Sequence, residues 1–350
     1  MGFAKAFNYG NITQLTRAIS KPTGIIWLLA ASVCILAALQ FLLNKELWWL
    51  TAAAALLVSQ YLVFTSWHDA RFGSIMNFIL LIAVIVGYCT WNFSSSFQKE
   101  VKAALAQTAV SSADLLTEVD IQQLPEPVKK YIRYTGMIGK PKLKNFRIEF
   151  EGGIRKDEQV AWMPFTSKQY NFIDASARLF FMEATMKHLP VAGFHSFKNG
   201  EAFMDIRLFS LFKVQYQSGK EMGIAETVTF FNDICCMAPA ALIDKRIQWL
   251  QDSSNTVKAV FTNNNISITA RLFFNDRGEL VNFISDDRYA VSENNISRQI
   301  RWSTPLKDYK MINGFKLAGY AETIYNYPEG DFCYGNFKLI SIKYNCTDYE

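Results

Sequence analysis

The chain has 350 residues, half of them hydrophobic and 19% charged, with a formal net charge of +5. Residues 1–93 carry five Lys/Arg and two acids, which leaves 31 bases against 29 acids in the remainder. So small an imbalance over the second part excludes nucleic acid as its main partner. That part is also long enough to bury a core as one domain.

Three uncharged runs follow the N-terminal tail: Gly24–Leu43, Leu47–Ser66 and Ile75–Ser94. Each has 20 residues, which as helix reaches about 30 Å, the hydrocarbon thickness of a bilayer. Trp27, Trp48, Trp49, Trp67 and Trp91 fall near the ends of the runs, where an indole can be half wet. The pattern predicts an integral membrane segment with a tight hairpin at Asn44–Glu46. The second loop, WHDARFGS, holds His68, Asp69 and Arg71. These are read either as an ion or proton site, or as an interfacial loop in which Asp69 caps or pairs locally. With the N-terminus inside, inner segments carry Lys5, Arg17, Lys21 and Arg71 against Lys45, Lys99 and Lys102 outside. That bias puts the N-terminus in the cytoplasm and the large domain on the outer face.

Residues 95–124 read as a helical connector that ends at Pro125 and Pro127, because proline disfavours helix in the residue before it. In PVKKYIRYTG, Val128, Tyr131 and Ile132 form one apolar stripe and Lys129, Lys130 and Arg133 the other side, with Gly136 placed to stop the helix. The basic strip continues through Lys140, Lys142 and Lys144. Lys129, Lys130 and Arg133 are read as a solvated face or as a contact with lipid headgroups.

From Leu143 the pattern alternates. In NISITARLFFN, Ile266, Ile268, Ala270, Leu272 and Phe274 share one face, and Asn313-Gly314 is the strongest hairpin signal in the chain. Further runs read as strands are Asn145–Gly152, Gln159–Phe172, Ala177–Ala184, Glu201–Phe209, Phe212–Gln217, Leu280–Tyr289, Ser297–Trp302, Phe315–Tyr325 and Phe332–Tyr344. One interruption, about Ala225–Ile243, reads as two short helices because Pro239 lies inside it. The fold class expected is α+β: a three-helix transmembrane segment (24–94), then a large curved antiparallel sheet (125–350) with short helices on its concave face. Phe150, Phe172, Phe180, Phe203, Phe230 and Phe274 weight the apolar side of that sheet, as a packed core or as a cavity for an acyl chain.

The order LPEPVKKYIRYTG, WMPFTSKQYNF, IAETVTFFNDICCMAPAALIDKRIQW and LFFNDRGELVNFISDDRY, with WHDARFGSIMN between the spans, resembles an uncharacterised bacterial family of membrane-attached proteins without assigned activity. The chain departs from that pattern after Glu226, where Thr227 and Thr229 stand in place of an expected Arg. The sheet-plus-helix pattern is similar, by analogy of fold, to periplasmic lipoprotein-carrier and lipoprotein-sensor domains.

Chemistry is sparse. There is no G-x-S-x-G element, P-loop or dinucleotide fingerprint, and the sequence nominates no nucleophile beside a base. His188 and His195 are read as lying in a turn across Pro190 and Gly193, with no Cys or carboxylate at a zinc-ligand spacing. Cys34, Cys89, Cys235, Cys236, Cys333 and Cys346 read as reduced thiols. No catalytic residue, metal or cofactor is expected. Glu226, Asp233 and Arg288 stand out as charges amid apolar neighbours. Either Arg288 pairs Asp233 or Glu226 for structure, or the three recognise a ligand headgroup, with Trp162, Trp249 and Trp302 beside them. The leading expectation is a membrane-anchored module that binds a lipid, acyl chain or lipoprotein. The alternative is a structural or sensory membrane protein that acts through protein contacts.

Overall fold

The structure is a computed structural model that describes residues 1–10, 12–108, 114–251, 253–291 and 297–350. The chain divides into two compact units, Met1–Ser95 with Phe209–Leu211, and Ser96–Leu208 with Phe212–Glu350.

The first unit is helical: α1 (Gly2–Ala6), α2 (Lys21–Leu42), α3 (Trp48–Thr65), α4 (Trp67–Ala70) and the start of α5 (Gly73–Gln107). Ser20 caps α2 by accepting from the Thr23 amide, and Pro22 suits the first turn because its missing N–H has no helical partner there. Among the described residues, α2, α3 and α5 are long and apolar enough to cross a membrane. Leu28, Leu29, Ile35, Leu36, Leu57, Phe64, Phe78 and Ile79 are exposed, an arrangement suited to hydrocarbon surroundings. Gly87 of α5 lets Trp48 and Trp49 of α3 approach, since a Cβ there would sit 2.7 Å from the Trp48 ring. Ser59, Gln60, Ser74 and Asn77 form a chain of hydrogen bonds between the same helices. The loop between the spans takes its structural reading. Asp69 accepts from the Thr16 amide (2.7 Å), the Thr16 hydroxyl (2.8 Å) and the Arg17 amide (3.3 Å), so it caps the segment ahead of α2.

The second unit is a large antiparallel sheet with helices on both faces. Its strands are β1 (Asn145–Ile154), β2 (Met163–Phe172), β3 (Ala177–Met186), β4 (Leu189–Lys198), β5 (Glu201–Leu208), β6 (Phe212–Ser218), β7 (Ile247–Gln251), β8 (Thr256–Asn263), β9 (Ile266–Phe274), β10 (Leu280–Ser285), β13 (Trp302–Ile312), β14 (Phe315–Tyr327) and β15 (Gly330–Tyr344). Among the described residues these thirteen form one sheet in the order β6-β5-β4-β3-β2-β1-β15-β14-β13-β10-β9-β8-β7. The short strands β11 (Tyr289–Val291) and β12 (Ser297–Gln299) pair with each other. The first and last strands, β1 and β15, therefore pair at the middle of the sheet.

The inner face is occupied by α7 (Lys220–Met237) and a 3₁₀ turn (Pro239–Ile243). Pro239 does separate two helical pieces, but the first runs 18 residues and begins before Ala225. The sheet curls around α7. Gly200, in the β4–β5 turn, lies within 3.3 Å, measured from an ideal Cβ, of Asn264 in the β8–β9 turn. In a flat sheet, strands so far apart in the order would be separated by roughly 40 Å at about 4.8 Å per strand. Right-handed twist accumulates along the sheet, and bulges at Glu149/Phe150, Ile206/Arg207, Leu280/Asn282 and Thr323/Ile324 sharpen the bend.

Away from the bulges, side chains alternate between the two faces of the strands. Phe197 meets Phe230 of α7, and Phe231 stacks on Phe261 with ring centroids 4.9 Å apart. The opposite parity, Phe181 and Phe194, points outward against Phe97 of α5 at 5.4 and 5.6 Å. Tyr349 and Tyr170 complete that outer cluster. The helix α6 (Glu126–Tyr134) matches its periodicity: Val128, Tyr131 and Ile132 are fully buried, and Gly136 adopts φ +77° just beyond the helix. The Tyr131 hydroxyl donates to the Cys235 carbonyl at 3.1 Å and fixes α6 beneath the end of α7.

Two expectations are corrected. Of the segment His188–His195 only the start is a turn: Lys187 and His188 are both left-handed at the tip of the hairpin β3–β4 (φ 50° and 66°), and from Leu189 the chain is strand β4, which carries His195. Strands β7 and β8, absent from the sequence reading, close the far edge of the sheet.

Gly223 of α7 faces the Gly200 carbonyl, and a Cβ there would lie 2.4 Å from that backbone oxygen. Gly223→Ala is therefore expected to lower the thermal midpoint of the detergent-solubilised chain by several degrees, an overpacking cost of about 1–3 kcal/mol. Gly193→Ala, whose nearest neighbour would be the Met182 methyl at 3.5 Å, is expected to leave it nearly unchanged.

Candidate functional site

Glu226, Thr229 and Asp233 lie three and four residues apart on α7, so they share one face. That face meets the inward parity of β2, β3 and β4, which supplies Gln169, Asn171, Arg178 and His195. Arg178 is central. Its Nε donates to Asp233 Oδ2 at 2.8 Å, its Nη1 to Glu226 Oε2 at 3.0 Å and its Nη2 to Gln169 Oε1 at 3.1 Å. Asp233 Oδ2 also accepts from Gln169 (2.7 Å) and Asn171 (3.2 Å). His195 Nδ1 stands 3.8 Å from Glu226 Oε1. The Arg178 guanidinium lies 4.9 Å from the Phe180 ring centroid, and Phe180 makes an edge contact with His195.

The electrostatics follow from burial and these partners. Burial alone would raise the Glu226 carboxyl, but Arg178, with His195 and Arg288, outweighs it and holds the group at about 2. Asp233 is pushed the other way by burial, against the pull of Arg178 and the two amides. Burial also lowers His195, with Glu226 opposing. The two arginines thus balance two carboxylates when His195 is neutral. Cys235 and Cys236, on the same helix, are driven strongly towards the thiol form by burial.

Arg288, between β10 and β11, approaches α7 one turn earlier. Its Nη1 donates to the Ala225 carbonyl at 2.8 Å and to the Thr229 hydroxyl. Its guanidinium lies over Trp302, 4.7 Å from the ring centroid, and the Trp302 indole donates to the Tyr334 hydroxyl at 3.1 Å. Arg288 Nε is buried and has no hydrogen-bond partner among the described residues. Burial would lower its pKa, but the surrounding Tyr334, Tyr325 and Glu226 raise it, so the cation is firmly held.

Of the residues singled out from sequence, Glu226, Asp233, Arg288 and Trp302 come together. The pairing expected of Arg288 is corrected: Arg178 takes both carboxylates, and Arg288 binds the helix through a carbonyl and Thr229, one of the threonines that replace the expected arginine. Trp162 lies elsewhere, in the loop after β1, under the Arg155 guanidinium at 4.4 Å. Trp249 packs against the core from β7. Arg178, Gln169, Asn171 and His195 were not found from sequence. The available signal was parity: Gln169 and Asn171 are polar residues on the strand face that also carries Phe165. The basic face of α6 is engaged locally. Lys129 pairs Glu126 at 3.3 Å, Arg133 pairs Glu118 at 2.7 Å, and Lys130 donates to the Asp276 carbonyl.

These features define a class: an α+β protein with three helices long and apolar enough to cross a membrane and a curled antiparallel sheet closed on a charged helix. The chain belongs to a family of unknown function, DUF6544, whose model matches residues 114–337. No curated protein matches. A crystal structure of a LolA superfamily protein from Nitrosomonas europaea is similar at 9% identity and a TM-score of 0.36, covering 63% of this chain and 92% of that one.

Arg178→Met would strand two buried carboxylates, and a loss of about 3–5 kcal/mol in unfolding free energy is expected by denaturant titration. The Glu226 contribution is present above pH 4.5, its ordinary value, and is lost as pH falls through about 2. Glu226→Gln should therefore flatten that acid limb of the stability curve, whereas an unchanged limb would assign it to other groups.

Proposed function

We propose that this protein is a multi-pass, membrane-anchored binding module for an anionic lipid or the acylated end of a lipoprotein. Its N-terminus lies in the cytoplasm and its sheet domain on the outer face of a bacterial inner membrane. The observation that carries the reading is Arg288. One side of its guanidinium is spent on α7, its flat face rests on Trp302, Tyr325 stands within hydrogen-bond reach, and its Nε has no partner among the described residues. An unpaired buried donor costs about 1–3 kcal/mol, and a carboxylate or phosphate is the group to which an arginine fork donates in bidentate fashion. Glu226 and Asp233 act by tying α7 in place, while Arg288 and Trp302 meet the ligand. The reading is of a binder and not a catalyst, because the carboxylates of α7 are committed to Arg178 of β3.

A second reading, a structural or sensory protein without a small ligand, is favoured by one observation. The inner aromatic face is occupied by α7, whose Phe230 and Phe231 are fully buried against Phe197, Phe261 and Phe283.

Native mass spectrometry of the full chain, released from mild detergent with added phosphatidylglycerol, separates the two. A retained lipid adduct is expected, reduced about tenfold or more in Arg288→Gln, in keeping with loss of a charge-assisted hydrogen bond. An adduct that survives the substitution would remove Arg288 from the site. A wild-type chain that flies bare would favour the second reading.

A further inference from the structure

The outer face and one end of the sheet carry a surface that the Arg288 site does not use. Strands β1 to β6 run as an antiparallel meander, and register aligns Phe165, Ala184, Val191 and Leu208 in one row across β2–β5. Beyond that row, at the same end, lie the loop after β1, the β3–β4 tip and the start of β6. Each presents exposed apolar side chains: Val160 and Trp162, then Met186 and Leu189, then Phe212, which is 60% exposed. The opposite ends of these strands turn through Asp174–Ser176 and Asn199-Gly200, which are small or polar.

The patch continues along β6. Val214 and Tyr216 share the side of the strand with Phe212, and both are exposed. Tyr216 stacks on Phe203, Phe203 meets Phe194, and Phe194 meets Phe97, so an aromatic row runs from α5 across the outer face to the edge of the sheet. Such an edge strand, apolar and without proline, invites association in water.

We infer that this end of the sheet is a membrane-docking surface, seated in the headgroup–acyl boundary of the bilayer. Two observations choose lipid as the occupant. The same chain carries helices able to cross a bilayer, which keeps lipid at high local concentration. The exposed side chains are those that partition into an interface, with Trp162, Phe212 and Tyr216 flanked by Lys187 and Lys213, whose stems can extend their charges to water. Acids interleave with these bases at Asp157, Glu158 and Glu183, so the surface seats on neutral lipid and does not depend on anionic headgroups. This inference is independent of the Arg288 site.

The test uses the full chain reconstituted in phosphatidylcholine vesicles, with the photoreactive residue p-benzoylphenylalanine placed singly at position 162, 186 or 212. Position 311, at the β13–β14 turn and the opposite strand end, serves as control because Met311 is itself 66% exposed. On illumination, lipid adducts detected by mass spectrometry are expected at least tenfold more often at 162, 186 and 212 than at 311. Equal yields at all four positions would overturn the inference. So would adducts at 212 made only with a second copy of the chain, which would assign β6 to edge-to-edge pairing.

Discussion

The arrangement of the sheet domain rests on one buried clasp, Arg178 held between Glu226 and Asp233. A sheet of this width gains nothing by curling unless its inner face has something to cover. Here α7 supplies aromatic side chains for most of that face and two carboxylates for the remainder. A guanidinium on β3 is the group that lets those carboxylates be buried, because it reaches both through different nitrogens. Gln169 and Asn171 satisfy what remains of Asp233. The cost of dehydrating these charges is offset only while the whole set is assembled. Position of the helix and ionisation of the cluster are therefore the same property.

That coupling explains why Arg288 stands apart. Because both carboxylates accept hydrogen bonds from Arg178, the second arginine balances their remaining charge from a distance and settles on a helix carbonyl, a threonine and an indole face. An arginine at Thr229 would bring a like charge to this place. Thr229 instead accepts from Arg288. The Arg178 cluster is closed by hydrogen bonds among its own members, whereas Arg288 keeps a buried Nε without a partner among the described residues.

Much of the architecture was legible because local periodicity carried it. Twenty-residue uncharged runs announce long apolar helices whatever they pack against. Val128, Tyr131 and Ile132 mark the buried stripe of α6, strict alternation marks β9, and Asn313-Gly314 adopts the left-handed pair its chemistry favours. What was missed depended on distant partners. The β3–β4 hairpin turns on Lys187-His188, a far weaker turn signal than Asn-Gly because lysine has no preference for positive φ. Arg178 finds Glu226 and Asp233 across 48 and 55 residues, a relation that spacing along the chain does not express. Arg288 was noticed correctly as a charge in apolar surroundings, but its partner was assigned by sign alone.

The central claim, that α7 is an integral part of the sheet domain and no mobile cover, is tested most directly by hydrogen–deuterium exchange on the full-length protein in detergent. Amides of Val228–Cys236 are expected to be protected as strongly as those of β1 and β15 at the middle of the sheet. Rapid exchange across α7 while β1 and β15 stay protected would contradict it, since a helix that opens alone is not held by the clasp described here.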